Sequence, residues 1–148
     1  MKNSKEGMAI KIYRKANWCY KHKLYFLAKL FYYLNIIMFN CVIPPQVILR
    51  NKVRVTHSVG IVIHQWSVIN ENVVIGHNVS LVNNKIEIGK GSFIGVGAVI
   101  IGPCKIGNNV KIGANTIVNF DVPDNCTVVG VKGHIIRKNL SGGKSDES

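Results

Sequence analysis

From Ile43 onward an aliphatic residue returns every six positions, and this period limits the fold more than any other feature of the chain. The returning residues are Ile43, Leu49, Val55, Ile63, Ile69, Ile75, Leu81, Ile88, Ile94, Ile100, Ile106, Ile112 and Val118. The residue four places after each is small or β-branched at twelve of the thirteen, the exception being Lys85. Helical packing needs a 3.6-residue period and a half-buried strand needs strict alternation. A six-residue return is that of a parallel β-helix, whose unit is a short strand and a turn, three units closing one triangular coil. The aliphatic and the small residue point inward, because that pairing fills a narrow prism without voids. The expected fold class is all-β: a parallel β-helix of about four coils over 42–122, with an N-terminal α-helical segment (1–41). A C-terminal cap (123–140) and a disordered tail, SGGKSDES (141–148), complete the expected organisation.

Two steps break the period. Val55 to Ile63 takes eight residues and Leu81 to Ile88 takes seven. The first surplus carries His57. Stacking places every third corner in one column, so Val55, Ile75, Ile94 and Ile112 share an edge, and two residues past them come His57, His77, Val96 and Ala114. Adjacent strands stack about 4.8 Å apart, which predicts that the two histidines are near neighbours. The surplus should bulge outward and hold His57 out of the core. His64 follows a corner on another edge and reads as structural or as an interface residue. His22 and His134 read as surface positions.

Composition narrows the partners. The formal charge is +12, and eight of the bases fall within the first 30 residues against the single acid Glu6. Such a field suits an anionic partner, but no aromatic–basic motif of a nucleic-acid module is present, so no nucleic acid is expected. Cys19, Cys41, Cys104 and Cys126 form no CxxC pair, which fits reduced thiols and a cytoplasmic location. No signal peptide is evident. The run LYFLAKLFYYLNIIMFNCVI (24–43) is long enough to span a bilayer. Lys29, Asn35 and Asn40 interrupt it, however, and the repeat follows directly. A helix packed on the protein or on a sister subunit is expected, with peripheral membrane contact the lesser alternative.

The segment VIPPQVILRNKVRVTHSVGIVI (42–63) resembles, without a gap, the segment of serine acetyltransferases that carries their catalytic histidine. That histidine falls on His57, in a His-x-x-Gly pattern written HSVG here. IGVGAVIIGPCKIGNNVKIGANTIV is similar to their acetyl-CoA-binding coils and DVPDNCTVVGVKGHII to their C-terminal cap, so the resemblance covers roughly residues 18 to 138. The short members found in surface-polysaccharide gene sets share the basic aromatic helix and the Ile-Pro-Pro entry. The resemblance implies a left-handed prism, a homotrimer, and acetyl-CoA as co-substrate in the groove between neighbouring prisms, with no metal. It implies direct acetyl transfer, with His57 as general base on an acceptor hydroxyl. It further implies that Gly95, Val96, Gly97, Gly113 and Ala114 meet the pantetheine arm, and that Lys111, Lys132 and Lys138 lie near CoA.

The chain departs from the family at named places. Serine acetyltransferases carry an aspartate immediately before the histidine and another fifteen residues before it; here these are Thr56 and Val42. Their long glycine-rich loop is reduced to VNNKIE, with Lys85 at its histidine position. The expected acceptor is therefore either L-serine or a surface-polysaccharide sugar, with Thr56, His77 and Lys85 on the acceptor side. His77 enters this set from the stacking alone. Two other readings compete. A metal-dependent hydrase on the same prism needs three converging histidines, two of them five residues apart, and no pair here has that spacing. A non-catalytic scaffold or membrane-surface adaptor would use the basic aromatic helix and bind no CoA.

Overall fold

The structure, a computed structural model, describes residues 7–130. Thirteen short strands wrap three parallel sheets, the faces of a triangular prism. Face A holds β3 (Val62–Ile63), β6 (Ser80–Val82), β9 (Val99–Ile101) and β12 (Ile117–Val118). Face B holds β1 (Ile48–Leu49), β4 (Val68–Ile69), β7 (Ile86–Ile88) and β10 (Cys104–Ile106). Face C holds β2 (Arg54–Val55), β5 (Val74–Ile75), β8 (Phe93–Ile94), β11 (Lys111–Ile112) and β13 (Thr127–Val128). Corners stack as the period requires, Val55 on Ile75 on Ile94 on Ile112. Every one of these four is buried, and fully burying such a side chain contributes about 1.5–3 kcal/mol. Face C continues past residue 122 into the segment read as a cap, because Thr127 and Val128 pair with Lys111 and Ile112.

The small inward column holds except where the period breaks. Val59 is 53% exposed, and Ile61, fully buried, fills the core in its place. Likewise Lys85 is exposed and Ile86 is buried. The reason is geometric. The inward residue is set by the strand it enters, two places before the next corner, so surplus residues collect in the turn ahead of it. Polar members of the column are mostly satisfied internally: Ser92 Oγ donates to the Gly107 carbonyl (2.9 Å) and accepts from Val110 N–H (3.0 Å).

The N-terminal segment forms two helices, α1 (Met8–Lys21) and α2 (Tyr25–Phe39). They are joined by a turn in which Lys23 takes a left-handed conformation (φ 61°). Helix α1 closes the open end of the prism: Ala9, Ile10 and Tyr13 join the core cluster of Val47, Leu49, Val53 and Val55. The Tyr13 hydroxyl donates to the Val47 carbonyl, and burial pushes its pKa up to about 12. Asn17 Nδ2 donates to the Pro45 carbonyl at 2.6 Å. Helix α2 packs on α1 through buried Ala28 and Asn35, and Asn35 Nδ2 donates to the Ala9 carbonyl at 3.3 Å. Its 15 residues span roughly 22 Å at 1.5 Å per residue, short of the roughly 30 Å hydrocarbon layer. Among the described residues no helix is long and apolar enough to cross a membrane. At the other end, the Asp121 and Asp124 carboxylates accept from the backbone N–H groups of Lys105 and Asn108, both at 2.7 Å. The hydrogen bonds from Asn108 hold the Asp124 carboxyl below its usual range.

Candidate active site at the edge between faces C and A

The edge running from face C to face A is stitched by backbone hydrogen bonds on both sides of its turn. On the entering side Thr56 N–H donates to Ile75, Gly76 to Ile94, Gly95 to Ile112 and Gly113 to Val128, at 2.8–2.9 Å. On the leaving side Asn78 N–H donates to Val59, Gly97 to His77 and Asn115 to Val96, at 2.8–3.1 Å. The residues that reverse the chain, Gly60, Asn78, Gly97 and Asn115, all take the left-handed conformation. Glycine and asparagine tolerate that region best, so their stacking is local chemistry repeated once per coil.

This ladder identifies the two surplus residues. Thr56 stacks on Gly76 and Val59 stacks on His77, so His57 and Ser58 are the insertion. The expected column of His57 over His77 is therefore corrected: Val59 is the register partner of His77. Yet the histidines still meet. The bulge closes on itself through Val59 N–H to the His57 carbonyl at 2.9 Å, a three-residue turn. It leaves His57 exposed with its ring centroid 5.6 Å from that of His77, the rings inclined at 70°. His77 is half-buried, and its Nδ1 is out of water with no hydrogen-bond partner. The start of α1 supports the bulge from outside, since a Cβ on Gly7 would stand 2.8 Å from Ser58 Oγ. Ser58 was not singled out from the sequence; its only signal was its place in the eight-residue step.

Below the histidines the entering side of the edge is all glycine, at Gly76, Gly95 and Gly113. A Cβ on Gly76 would come within 2.7 Å of Val96 N, and one on Gly95 within 2.6 Å of Ala114 N. A side chain is excluded at these glycines, and Gly95, Val96, Gly97, Gly113 and Ala114 line up with Thr56, His57 and His77 along one edge. Lys111 is exposed beside them on face C, between Phe93 and Thr127. Lys85 does not join them within one chain; it lies on the edge between faces A and B. Lys132 and Lys138 lie outside the described residues. Among the described residues neither imidazole is held by a carboxylate, and no three His, Cys, Asp or Glu side chains come together. Burial pushes the Cys41 and Cys104 thiols up, which disfavours the thiolate that cysteine chemistry needs. What remains is an exposed imidazole at the head of a glycine-lined edge.

Comparison with known proteins bears on this edge. Residues 85–119 match the family described as bacterial transferase hexapeptide (six repeats). Serine acetyltransferase of Synechococcus elongatus is 30% identical over 135 residues, covering 86% of this chain and 55% of that protein. The crystal structure of serine acetyltransferase from Brucella abortus strain S19 superposes with a TM-score of 0.77 at 34% identity, over 86% of this chain and 55% of that one. The same enzyme in complex with coenzyme A gives a TM-score of 0.76 at 32% identity, over 90% and 56%. The chain thus spans about half the length of these relatives. The six-residue period and the three-faced prism make the chain a hexapeptide-repeat β-helix, and over most of its length it is similar to serine acetyltransferases.

Proposed function

We propose that the chain transfers an acetyl group from acetyl-CoA to a hydroxyl, with His57 as general base. The observation that carries this is the bulge that presents His57 to solvent at the head of the Gly76–Gly95–Gly113 edge, in a chain similar to an enzyme crystallised with coenzyme A. A free His57 ring nitrogen takes the acceptor proton as the acceptor oxygen attacks the thioester carbonyl. The tetrahedral adduct collapses, the carbon–sulfur bond breaks, and the imidazolium returns the proton to the leaving thiolate. The products are an acetyl ester and free CoA. Holding both substrates along one edge supplies much of the rate. His77 packs against the His57 ring and positions it, the role a carboxylate would otherwise fill. Gly95, Val96, Gly97, Gly113 and Ala114 offer the pantetheine arm an unobstructed backbone. Lys111, with Lys132 and Lys138 beyond the described residues, answers the charge of CoA.

L-Serine is the acceptor that the relatives favour. A second reading, a sugar hydroxyl, is favoured by one observation: no carboxylate of the described residues holds either histidine, so nothing there pairs with an amino group. The groove between prisms requires a trimer, and face A fits that role. Its outward residues Val42, Val62, Val82, Val99, Ile101 and Ile117 are apolar, with Ser80 the one polar residue among the outward positions of its strands, whereas faces B and C place the charged Glu87, Lys105, Arg54 and Lys111 among theirs. Facing A toward a threefold axis sets the His57 edge of one chain against the Lys85 edge of the next. The test is release of CoA thiol from acetyl-CoA offered with L-serine and with a panel of sugars, on material that sediments at three times 16.4 kDa. Release with either acceptor is expected. No release with any, or a monomer that turns over fully, overturns the reading.

Helix α2 adds a peripheral membrane contact at the cytoplasmic surface, a compartment that suits the four free cysteines. Its outer face exposes Phe26 and Ile37 (81% each) and Leu30, and the chain has no acid between Glu6 and Glu71. An apolar face within a basic field suits an anionic lipid surface. Co-sedimentation with phosphatidylglycerol vesicles is expected and should be lost in the Phe26→Ser/Ile37→Ser double variant. Equal sedimentation of the wild type with neutral vesicles, or of the variant with anionic ones, would rule the contact out.

A further inference from the structure

The second break in the period, the seven-residue step from Leu81 to Ile88, lies away from the His57 edge of its own chain. Its extra residue falls in the turn between β6 and β7, where Asn83 (φ 59°) and Asn84 (φ 65°) are both left-handed. Asn84 Oδ1 accepts from Lys85 N–H at 2.8 Å, which fixes the amide and leaves its NH₂ to donate outward. The turn protrudes beside Trp66, 59% exposed on the turn one coil earlier. Between them lies a groove of about 570 Å³ walled by Trp66, Asn84, Lys85, Gln65 and Gln46. That volume falls within the roughly 300–1,000 Å³ of small-molecule sites. A second groove of about 290 Å³ shares Gln46 and Gln65 and continues to Tyr25, Tyr32 and Tyr33 of α2.

We infer that this edge binds a saccharide, the acceptor-bearing glycan, through the Trp66 and tyrosine rings and the amides of Gln46, Gln65 and Asn84. A pyranose has one face of C–H groups and a rim of hydroxyls, each both donor and acceptor. Exposed aromatic rings match the first, since tyrosine and tryptophan bury an apolar body while keeping a polar tip wet. Amides match the second, because one side chain offers donors and an acceptor together. Gln46 supports the assignment independently: its Oε1 is out of water with no hydrogen-bond partner. Turning that amide to a ligand breaks no bond that this oxygen makes. An apolar ligand would strip the three amides of water without replacing their hydrogen bonds, at a cost. A polyphosphate would find only Lys29 and Lys85 as cations along both grooves, with no glycine nest. The two lysines and the lack of any acid in the lining favour a sugar that carries a carboxylate.

This inference rests on the sugar reading of the acceptor, and its test separates the two. The chain has two tryptophans, Trp18 and Trp66, so Trp18→Phe leaves Trp66 as a single reporter. Its fluorescence, without acetyl-CoA, is titrated with a hexuronic-acid trisaccharide and with a neutral trisaccharide. A saturable change, tighter for the acidic sugar and weakened at least tenfold by Gln65→Ala/Asn84→Ala on exposed turns, is expected. In the transfer assay that double variant should raise KM for the trisaccharide and leave kcat and the KM for acetyl-CoA unchanged. Binding without transfer would uphold the groove and remove the sugar-acceptor reading. Transfer to the sugar with KM unmoved by the variant would overturn the groove. So would an unresponsive Trp66, or a signal that depends on protein concentration alone, which would mark the groove as a contact between copies.

Discussion

On the proposed function, His57→Ala should lose acetyl transfer by roughly 10²–10⁴-fold in kcat, the usual contribution of a positioned acid–base group, while the melting temperature and the affinity for CoA should stay as in the wild type. The separation is a consequence of where the residue sits. His57 belongs to a two-residue insertion outside the stacked core, and its exposed ring packs edge-on against His77. The ladder beneath runs through the backbone of Thr56, Val59 and their neighbours and asks nothing of the imidazole. Single-turnover transfer and CoA binding on the same preparation check the result. Unimpaired transfer would remove His57 from the chemistry; a lost melting transition would make it structural. His57→Gln keeps a hydrogen-bonding side chain of similar reach but takes up no proton, so it should be as slow as alanine.

Gly95→Val should damage both fold and cofactor binding. The added Cβ would meet Ala114 N at 2.6 Å, with Gly113 C and Ile112 O at 2.7 Å, all backbone atoms held in the ladder. No side chain can turn away to relieve the clash, so the coils must part. Overpacking of this kind costs about 1–3 kcal/mol or more, which for a chain of this size lowers the melting temperature by roughly 3–10 °C. CoA affinity should fall with it, because parting the coils displaces the backbone of Val96 and Ala114. Thermal melts and CoA titration read the two effects. Val96→Ala, on the turn itself, is the control and should leave stability nearly unchanged. A Gly95 variant as stable and as tightly binding as the wild type would contradict the stacking.

Both irregularities of the period turned out to be places where the prism carries something extra. The core tolerates no surplus residue, because each inward position is set by its own strand; Ile61 and Ile86 keep theirs while Val59 and Lys85 are displaced outward. A break in such a repeat therefore marks a turn that has grown, and growth at a turn changes the surface without costing core packing. The sequence also misled on one count. Counting two residues past each corner placed His57 over His77, whereas the leaving-side ladder puts Val59 there. Spacing measured from one end of a turn cannot say which residues of a longer turn are the inserted ones.

The six-residue period by itself determined the prism, its three corner columns and the exposure of His57, because a repeat of that length can bury its aliphatic residues in only one way. Whatever depended on side chains meeting across coils, or on helices meeting the prism, was decided by the tertiary structure. The edge-to-face approach of His57 and His77, the bulge resting on Gly7, and α1 closing the first coil are of this kind. So are the groove in which Trp66 stands beside Asn84 and the neighbouring one lined by the tyrosines of α2. These contacts join residues far apart in the chain, and no local pattern encodes where two turns of different length will come to rest against each other.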